Sequence, residues 1–377
     1  MVLSPSFIFF LIFAFFAIVH IFYYLFFFSR LAFYKKKINQ HLSQKEPVSI
    51  VICAFNEEAN LRKNLPLWLS QDYHIQGKPN FEILIVNDNS EDNTFYFLNE
   101  MEKEYAHLHV VHLTQKAKLI PGKKFPLSMG IKSARYQKLL LSDADCVPAS
   151  NQWLSLMANA FQHKQIVLGY SPYNKKEGWL NKCIRFETAH SAIQYLSYAL
   201  AKIPYMGVGR NLAYEKSLFN ANKGFSSHHH ITSGDDDLFI NQVANSKNVN
   251  IEIDENSFTY SEPKNTWQDW NYQKKRHLST GKYYKPLFKF LLGFYALTHF
   301  GFWAILFSFI FFPKYILWVL AIFLLRNILH FFIFKKCFEQ LKENDLISSI
   351  FLFDIWMLYY NIKNIQSIFI KTHSHWK

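Results

Sequence analysis

The chain has 377 residues, a formal net charge of +13 and a hydrophobic content of 50%, with 39 phenylalanines. Its charged fraction of 18% lies below the roughly 25% that is usual for soluble proteins. This composition excludes a disordered chain and a small disulfide scaffold. The basic excess is compatible with nucleic-acid binding, so the position of the charges along the chain has to decide the matter.

The amino-terminal segment is the first predicted element. Residues 1–29 contain no Asp, Glu, Lys or Arg, and the run over 7–28 is almost purely apolar. About 20 such residues span a bilayer as a helix. A cleaved signal peptide would carry a charged start and a shorter apolar stretch. We therefore predict an uncleaved transmembrane anchor over residues 1–30, followed by a basic cytoplasmic linker over residues 31–46.

The central part, residues 47–285, alternates short β-branched runs with segments of helical spacing. Strands are predicted over residues 48–53, 81–86, 109–113 and 138–141, and helices over 57–70, 92–105 and 126–135. In the first helix, Pro66 predicts a kink or an earlier end. Such alternation is typical of an α/β domain with a Rossmann-like, mostly parallel sheet. Ligands of such sheets bind beyond the carboxyl ends of the strands.

The carboxyl-terminal part, residues 286–377, is predicted as a membrane region. Spans are expected over about 290–312 and 315–334. A further apolar stretch over 346–370 carries Asp354 and Lys363. It could span the bilayer, re-enter it or lie in the interface.

The charges separate along these boundaries. Outside residues 47–285 there are 14 Lys and Arg against 5 Asp and Glu, whereas the central part holds 27 against 23. The basic residues beside the apolar runs are Arg30, Lys35, Lys36, Lys37, Lys282, Lys285, Lys289, Lys335 and Lys336. Basic residues of short flanks mark the cytoplasmic side. The pattern predicts a multi-pass protein of the cell (inner or plasma) membrane with a cytoplasmic central domain, an outside amino terminus and no nucleic-acid partner.

The polar residues after the predicted strands are the candidate site. They are Ala54-Phe55-Asn56-Glu57 after the first strand, Asn87-Asp88-Asn89-Ser90 after the second and Ser142-Asp143-Ala144-Asp145 after the fourth. No Gly-x-Gly-x-x-Gly follows a strand and no P-loop sequence is present, so a dinucleotide-binding fold loses its main support and a P-loop enzyme is excluded. The four cysteines form no Cys-x-x-Cys pair and are interpreted as reduced thiols.

Three charged clusters have a structural and a functional interpretation. Asp143-x-Asp145 is either a solvated turn or a pair of carboxylates that shares Mg²⁺ or Mn²⁺ with a diphosphate. Asp235-Asp236-Asp237 is either a helix start, favoured by the helix dipole, or a source of a general base. The stretch over 273–277 is basic and close to the membrane, where it could face anionic headgroups.

Together and in order, these pieces resemble the membrane-bound family 2 glycosyltransferases, inverting enzymes with a GT-A fold. The resemblance covers about residues 47–285. The matching segments are Ala54-Phe-Asn-Glu-Glu58, Val86-Asn-Asp-Asn-Ser90, Gly122-Lys-Lys-Phe-Pro-Leu-Ser-Met-Gly130, Asp143-Ala-Asp145, Gly207-Val-Gly-Arg-Asn211, Gly234-Asp-Asp-Asp-Leu238 and Gln273-x-x-Arg276-His277. Gly234 stands where the family has Glu, and His277 where it has Trp.

The resemblance implies a role for each matching residue. Asp235 falls on the catalytic base, with Asp236 as the alternative. Asp145 falls on the direct metal ligand, and Asp143 lies near the ribose and the metal. Lys123, with Lys124 as the alternative, falls on the donor contact. The remaining implied substrate-binding residues are Ala54, Asn56, Glu57, Asp88, Asn211, Asp237, Gln273, Arg276 and His277.

The implied function is the metal-dependent, inverting transfer of a sugar from a nucleotide-diphosphate sugar, UDP- or GDP-linked, at the cytoplasmic membrane face. The acceptor would be a lipid, a lipid-linked saccharide or a glycan, and the cofactor Mg²⁺ or Mn²⁺. The alternative is a polytopic transporter or channel with a soluble nucleotide-binding insert. A nucleotidyltransferase of the same fold would need a glycine-rich phosphate loop after the first strand, which Ala54-Phe55-Asn56 does not supply.

Overall fold

The structure is a computed structural model that describes residues 4–36, 45–114, 122–310 and 313–365. Half of the predicted linker (37–44), the end of the predicted span over 290–312 and the end of the stretch over 346–370 lie outside the described residues. The strands are β1 (Val48–Ala54), β2 (His74–Ile75), β3 (Lys78–Pro79), β4 (Phe81–Asp88), β5 (Leu108–Leu113), β6 (Lys138–Asp143), β7 (Cys146–Pro148), β8 (Ile166–Leu168), β9 (Leu212–Glu215), β10 (Val249–Ile251) and β11 (Thr259–Ser261).

The helices of the central part surround these strands. They are α3 (Glu58–Leu69), α4 (Thr94–Glu104), α5 (Lys124–Ser133), α6 (Trp153–Phe161), α7 (Trp179–Leu200), α8 (Lys216–Ala221), α9 (Asp237–Val243) and α10 (Trp267–Leu278). The predicted strands and helices are confirmed, with ends within two residues of those expected. The helix α3 continues through Pro66 in its last turn, so an earlier end is excluded.

The main sheet has seven strands in the order β10-β8-β9-β6-β1-β4-β5. Its pairs are parallel except at β9, which lies antiparallel to both β6 and β8. The predicted mostly parallel α/β sheet is therefore confirmed. Two small antiparallel pairs, β7 with β11 and β2 with β3, lie outside it.

Every residue of β1 is buried, because both faces of the sheet are covered. Ile50 and Ile52 belong to the hydrophobic core that contains Leu65 and Trp68 of α3. Val51 and Cys53 belong to the core on the other side. That second core is continuous through α5 and α7 with aromatic residues of the first apolar helix, so the sheet and the apolar helices pack as one body.

The apolar helices flank the sheet in sequence. The first begins as α1 (Pro5–Phe22) and continues through a π-helical turn (Tyr23–Phe28) into α2 (Ser29–Ala32). The others are α11 (Pro286–Ser308), α12 (Ile316–Gln340) and α13 (Ile350–Asn364). Within the described residues, three helices are long and apolar enough to cross a membrane: Pro5–Ala32, Pro286–Ser308 and Ile316–Gln340. The helix α13 has 15 residues, short of the about 20 that a spanning helix needs.

Candidate active site

The carboxyl ends of three parallel neighbours, β6, β1 and β4, meet at one edge of the sheet. Their register places Cys53 beside Asp143 and Ala54 beside Asn87. Asp88 follows at the end of β4, half-buried. The sheet therefore brings the three strand-end motifs together, as the sequence predicted.

The Asp-x-Asp motif forms a tight turn between β6 and β7. Potential ligand atoms of Asp143, Asp145 and Cys146 all lie within 4.8 Å of one another. The Cys146 thiol donates to Asp145 Oδ1 at 3.5 Å, and burial raises the pKa of this thiol well above its ordinary value. A neutral thiol is a poor metal ligand. The fitting donors are thus two carboxylates, a set that suits Mg²⁺ or Mn²⁺.

Cations lie around this turn. Lys123 Nζ forms an ion pair with Asp143 Oδ1. Burial favours the neutral forms of both groups, but their mutual attraction lowers the pKa of Asp143 and raises that of Lys123. Arg210 stacks over the Tyr173 ring at 4.3 Å. Burial opposes its charged form, and Tyr173, Cys146 and the two aspartates outweigh burial and raise its pKa.

Of the two acids, Asp145 has the weaker compensation of its negative charge by neighbouring cations. Burial, and after it the charge of Asp143, raises the pKa of Asp145 above its ordinary value, although Arg210 and Lys123 oppose the shift. A carboxylate in this environment gains from a bound cation. The environment therefore fits the role of Asp145 as a metal ligand.

The pKa of Cys53, near the end of β1, is influenced by several of the charged groups. Burial raises the pKa of its thiol to about 12, Lys123 opposes the shift, and Asp143, Asp235 and Asp88 add to it. The same Lys123 is influenced by both Asp143 and Asp235. The nucleotide-side acid, the metal-motif acid and the candidate base therefore all act electrostatically on the end of β1.

The three consecutive aspartates have three different environments. Asp236 caps α9: its Oδ1 accepts from the Asp237 amide and its Oδ2 from the Gly209 amide, both at 2.7 Å. Asp237 is buried and accepts from the Leu238 amide and from the hydroxyls of Thr280 and Tyr284. Among the described residues, Asp235 has no hydrogen-bond partner and is half-buried. The helix-start interpretation therefore holds for Asp236, and Asp235 is the open carboxylate.

Crowding of these acids shows in their pKa values. Burial, then the charges of Asp235 and Asp237, raises the pKa of Asp236 to about 7. Burial also raises the pKa of Asp237, although its hydrogen bonds from Thr280 and Tyr284 oppose the shift. Gly234 precedes the cluster with a φ of +97°, and a Cβ there would lie 2.4 Å from Leu238 Cδ1. This backbone explains why glycine replaces the family's Glu at this position.

Lys124 holds the loop that leads to these aspartates. Its ammonium is buried and donates to the carbonyls of His228, Ile231 and Ser233 at 2.6 to 2.9 Å. Burial lowers its pKa to about 8. Because all three donors are engaged inside the protein, Lys123 is the residue whose position fits a donor contact.

The motif after β1 is locked to the motif after β4. Asn56 has a φ of +54°, its amide donates to Ser90 Oγ at 2.9 Å, and its Oδ1 accepts from the Glu91 amide at 2.7 Å. The Glu57 side chain is buried and accepts from Asn60 Nδ2. A polar depression beside them is lined by Asn87, Asn89, Ser90, Glu91, Asp92, Phe95, Tyr96, His112, Leu113 and Thr114.

Asn211 lies away from solvent. Its Nδ2 donates to the carbonyls of Tyr170 and Ser257, both at 2.8 Å, and its Oδ1 accepts from Trp153 Nε1 at 3.1 Å. The side chain therefore holds the loop that presents Arg210. In the sequence Arg210 is only one member of the Gly207–Asn211 motif, because a single arginine carries no signal until the fold places it near Asp143 and Asp145.

The helix α10 carries the last motif. Gln273 and Arg276 are half-buried and His277 is exposed. Within the described residues, Gln273 Oε1 and Arg276 Nε are buried atoms without a hydrogen-bond partner. The charge of Arg276 contributes to the lowered pKa of Asp143, so this side chain lies toward the metal-motif turn.

Two family models together match residues 49–361 of the chain. The family described as Glycosyl transferase family 2 matches residues 49–221, and Glycosyl transferase family group 2 matches residues 139–361. The second match extends from the sheet into the apolar helices.

Two proteins are similar to this chain in sequence. A "Probable glycosyltransferase YdaM" of Bacillus subtilis is 25% identical over 69% of this chain and 61% of its own length. A "Beta-monoglucosyldiacylglycerol synthase" of Nostoc sp. is 32% identical over 37% of this chain and 28% of its own. The chain thus spans less than two thirds of the length of these relatives.

One solved structure has the same fold over almost all of both chains. It is the "Mannosyltransferase PcManGT from Pyrobaculum calidifontis in complex with GDP-Man and Mn2+", with a TM-score of 0.58 and 16% identity. The match covers 93% of this chain and 99% of the other, and it confirms the predicted GT-A fold.

Proposed function

This chain belongs to Glycosyl transferase family group 2, and we propose that it is a metal-dependent, inverting glycosyltransferase. It moves a sugar from a nucleotide-diphosphate sugar to a lipid, lipid-linked or glycan acceptor at the cytoplasmic face of the membrane. The observation that carries the proposal is the contrast between Asp235 and its neighbours. Asp235 keeps a carboxylate without a hydrogen-bond partner in the described structure, beside the charged groups at the end of β1.

The reaction is a single displacement. The acceptor hydroxyl oxygen attacks the anomeric carbon, its proton passes to the Asp235 carboxylate, and the bond from the anomeric carbon to the diphosphate oxygen breaks. The nucleoside diphosphate leaves with the bonding electrons, and the anomeric configuration inverts. A positioned carboxylate base is worth about 10² to 10⁴ in rate.

The leaving group needs positive charge. Asp143 and Asp145 would hold Mg²⁺ or Mn²⁺, which neutralises charge on the departing diphosphate. Among the protein's own groups, Lys123, Arg210 and Arg276 lie around the same turn and can bind phosphate oxygens. The neighbour that binds GDP-Man and Mn²⁺ has the same fold, which supports this choice of donor and metal.

The nucleotide would bind at the ends of β1 and β4. Ala54, Asn56, Glu57 and Asp88 lie there, and the polar depression beside Asn87 is open to solvent. Its exposed aromatic side chains, Phe95 and Tyr96, would offer stacking surface to a base.

Several observations support a membrane acceptor and a cytoplasmic active site. The first apolar helix is followed by basic residues, and Lys36 Nζ pairs with Glu252 Oε2 of the central part at 2.8 Å. This contact supports a common side for the basic flank and the catalytic sheet, and basic flanks favour the cytoplasm. The family match and the strand-end acids favour chemistry over the transporter alternative.

The test is a donor panel. Full-length protein in detergent is incubated with UDP- and GDP-sugars, Mg²⁺ or Mn²⁺, and a membrane lipid extract, and products are identified by mass spectrometry. We expect one donor class to give a glycosylated lipid and a free nucleoside diphosphate, with the anomeric configuration inverted. Absence of both transfer and donor hydrolysis across the panel would contradict the proposal.

A further inference from the structure

The helix α10 presents two neighbouring faces to two different surroundings. Arg276 lies on the face toward the Asp143 turn, since its charge contributes to the lowered pKa of Asp143, and Gln273 lies about one turn earlier on the same face. Trp270 and Lys274 are four residues apart, share the other face and are both buried. A buried lysine on a helix that carries active-site residues requires a partner.

That partner is on α7. Lys274 Nζ forms an ion pair with Glu187 Oε2, and both residues are buried. The helix α7 lies in the same continuous core as the sheet. The pair therefore ties α10 to the body of the catalytic domain.

The helix α13 completes the connection. Its Tyr360 hydroxyl donates to the other Glu187 oxygen, Oε1, at 3.2 Å. One turn earlier, Trp356 stacks on Trp270 with ring centroids 6.0 Å apart, and Tyr360 lies 5.7 Å from the same ring. The carboxylate of Glu187 thus joins three helices: α7, α10 and α13.

The helix α13 is itself fixed among the apolar helices. Two residues before Trp356, Asp354 pairs with Arg326 of α12 at 2.6 Å and contacts His299 of α11 at 3.0 Å. The position of α10 is therefore set from two directions, the catalytic domain and the membrane region.

We propose that Lys274 and Glu187 are positioning residues whose buried ion pair, together with Tyr360, holds α10 so that Gln273 and Arg276 face the catalytic centre. The inference rests on the proposed function, because it assigns the α10 face to the reacting groups. A misplacement of about 1 Å can cost about a hundredfold in rate. Loss of the pair should therefore lower the ratio of transfer to donor hydrolysis, in addition to any loss of folding stability.

The chain supplies a matched control in Lys275, the exposed neighbour of Lys274 on the same helix. Full-length Lys274→Met and Lys275→Met are compared in detergent for transfer to a membrane lipid extract and for donor hydrolysis without acceptor. We expect Lys274→Met to lower the ratio of transfer to hydrolysis about tenfold or more. Lys275→Met should leave the ratio unchanged.

A second set of variants separates positioning from folding. Glu187→Gln should repeat the loss, and the exchanged pair, Lys274→Glu with Glu187→Lys, should restore part of the ratio. If transfer and hydrolysis instead fall together, in proportion to the folded fraction, the residues only stabilise the protein and the inference is wrong. It is also wrong if Lys274→Met behaves like Lys275→Met.

Hydrogen–deuterium exchange on the same proteins does not depend on the donor or the acceptor. We expect faster exchange in Trp267–Leu278 for Lys274→Met than for Lys275→Met. Unchanged exchange would overturn the inference even if the wild type is active. A wild type without hydrolysis or transfer, combined with the expected exchange difference, would instead contradict the proposed function.

Discussion

Two groups of acidic and basic side chains in the described structure are built differently: one lies among the apolar helices and one at the candidate active site. Among the apolar helices, Asp354 is bound by both terminal nitrogens of Arg326, at 2.6 and 3.1 Å, by Trp303 Nε1 at 3.2 Å and by His299. At the candidate active site, Asp145 accepts a hydrogen bond from the Cys146 thiol at 3.5 Å, and Asp235 has no hydrogen-bond donor within the described residues.

The difference indicates what each group does. An acid whose oxygens are all engaged by fixed donors cannot take a ligand or a proton without losing those contacts, so the Arg326–Asp354 group stabilises a helix arrangement. Acids held close together with incomplete compensation gain from a cation or a substrate. Burial of charge alone therefore does not distinguish the two groups, whereas the completeness of pairing does.

The strongest test of this comparison is removal of the open carboxylate. We expect Asp235→Asn to lower transfer by about 10² to 10⁴, because the acceptor hydroxyl loses its base. Donor binding should remain near the wild-type level. Transfer rates and nucleotide-sugar binding by calorimetry are the measurements. Asp72→Asn, an exposed acid remote from the centre, is the control. Full transfer by Asp235→Asn would assign the base elsewhere, with Asp236 the next candidate.

The second test breaks the fully paired group of Arg326 and Asp354. Arg326→Met leaves Asp354 buried without its principal partner, and such a loss costs about 3–5 kcal/mol of stability. The unfolding midpoint in detergent should fall clearly, whereas the exposed Lys363→Met should not change it.

A double variant checks that pairing is the cause. Arg326→Met with Asp354→Leu removes both charges, so it should recover much of the lost stability. A double variant no more stable than Arg326→Met alone would show that the group does more than hold helices together.

Metal dependence tests the turn that carries Asp143 and Asp145, where the carboxylates are only partly neutralised by protein cations. Chelation with EDTA should lower transfer about a hundredfold or more, because a metal ion supplies several kcal/mol to the departing diphosphate. Mg²⁺ or Mn²⁺ should restore activity, and Asp145→Asn should need a higher metal concentration for half-maximal rate. Equal activity in EDTA and in Mn²⁺ would remove the role proposed for Asp143 and Asp145.

The smallest expected effect concerns pH and Asp236. Its pKa of about 7 in the folded protein exceeds the ordinary value, so the folded state keeps a proton that the unfolded state has lost at intermediate pH. Stability from this group is therefore present at acidic pH and declines as the pH rises toward 7.

The corresponding variant is Asp236→Asn, which can still cap α9. We expect the stability of this variant, relative to wild type, to be about 1–2 kcal/mol higher at pH 8 than at pH 5. The measurement is the unfolding midpoint of both proteins at both pH values. A wild-type protein whose stability relative to Asp236→Asn rises with pH would contradict this sign.

Much of the architecture could be predicted from local patterns. The strands β1, β4 and β6 are short apolar runs that are almost wholly buried, and β5 is a half-buried edge strand with an apolar centre. The apolar helices are long segments with few charges, so both kinds of element are visible without tertiary information. The Asp143 and Asp145 motif was also placed correctly at a strand end, because parallel strands collect their following residues at one edge.

Individual roles within a motif were not predictable to the same degree. Lys123 and Lys124 are adjacent, yet one pairs with Asp143 and the other binds three carbonyls of a loop more than 100 residues away. Likewise, nothing local distinguishes Lys274 from Lys275, of which one is buried against Glu187 and the other exposed.

The sequence by itself determined the fold class, the order of the elements and the edge of the sheet where acids collect, since these follow from periodicity and strand direction. Only the tertiary structure decided which of three consecutive aspartates is open, which lysine is engaged and how α13 reaches α10. Those properties depend on partners distant in sequence: Gly209 for Asp236, Thr280 and Tyr284 for Asp237, and Glu187 for Lys274. Hydrogen bonding and burial are set by packing, which residue spacing does not encode.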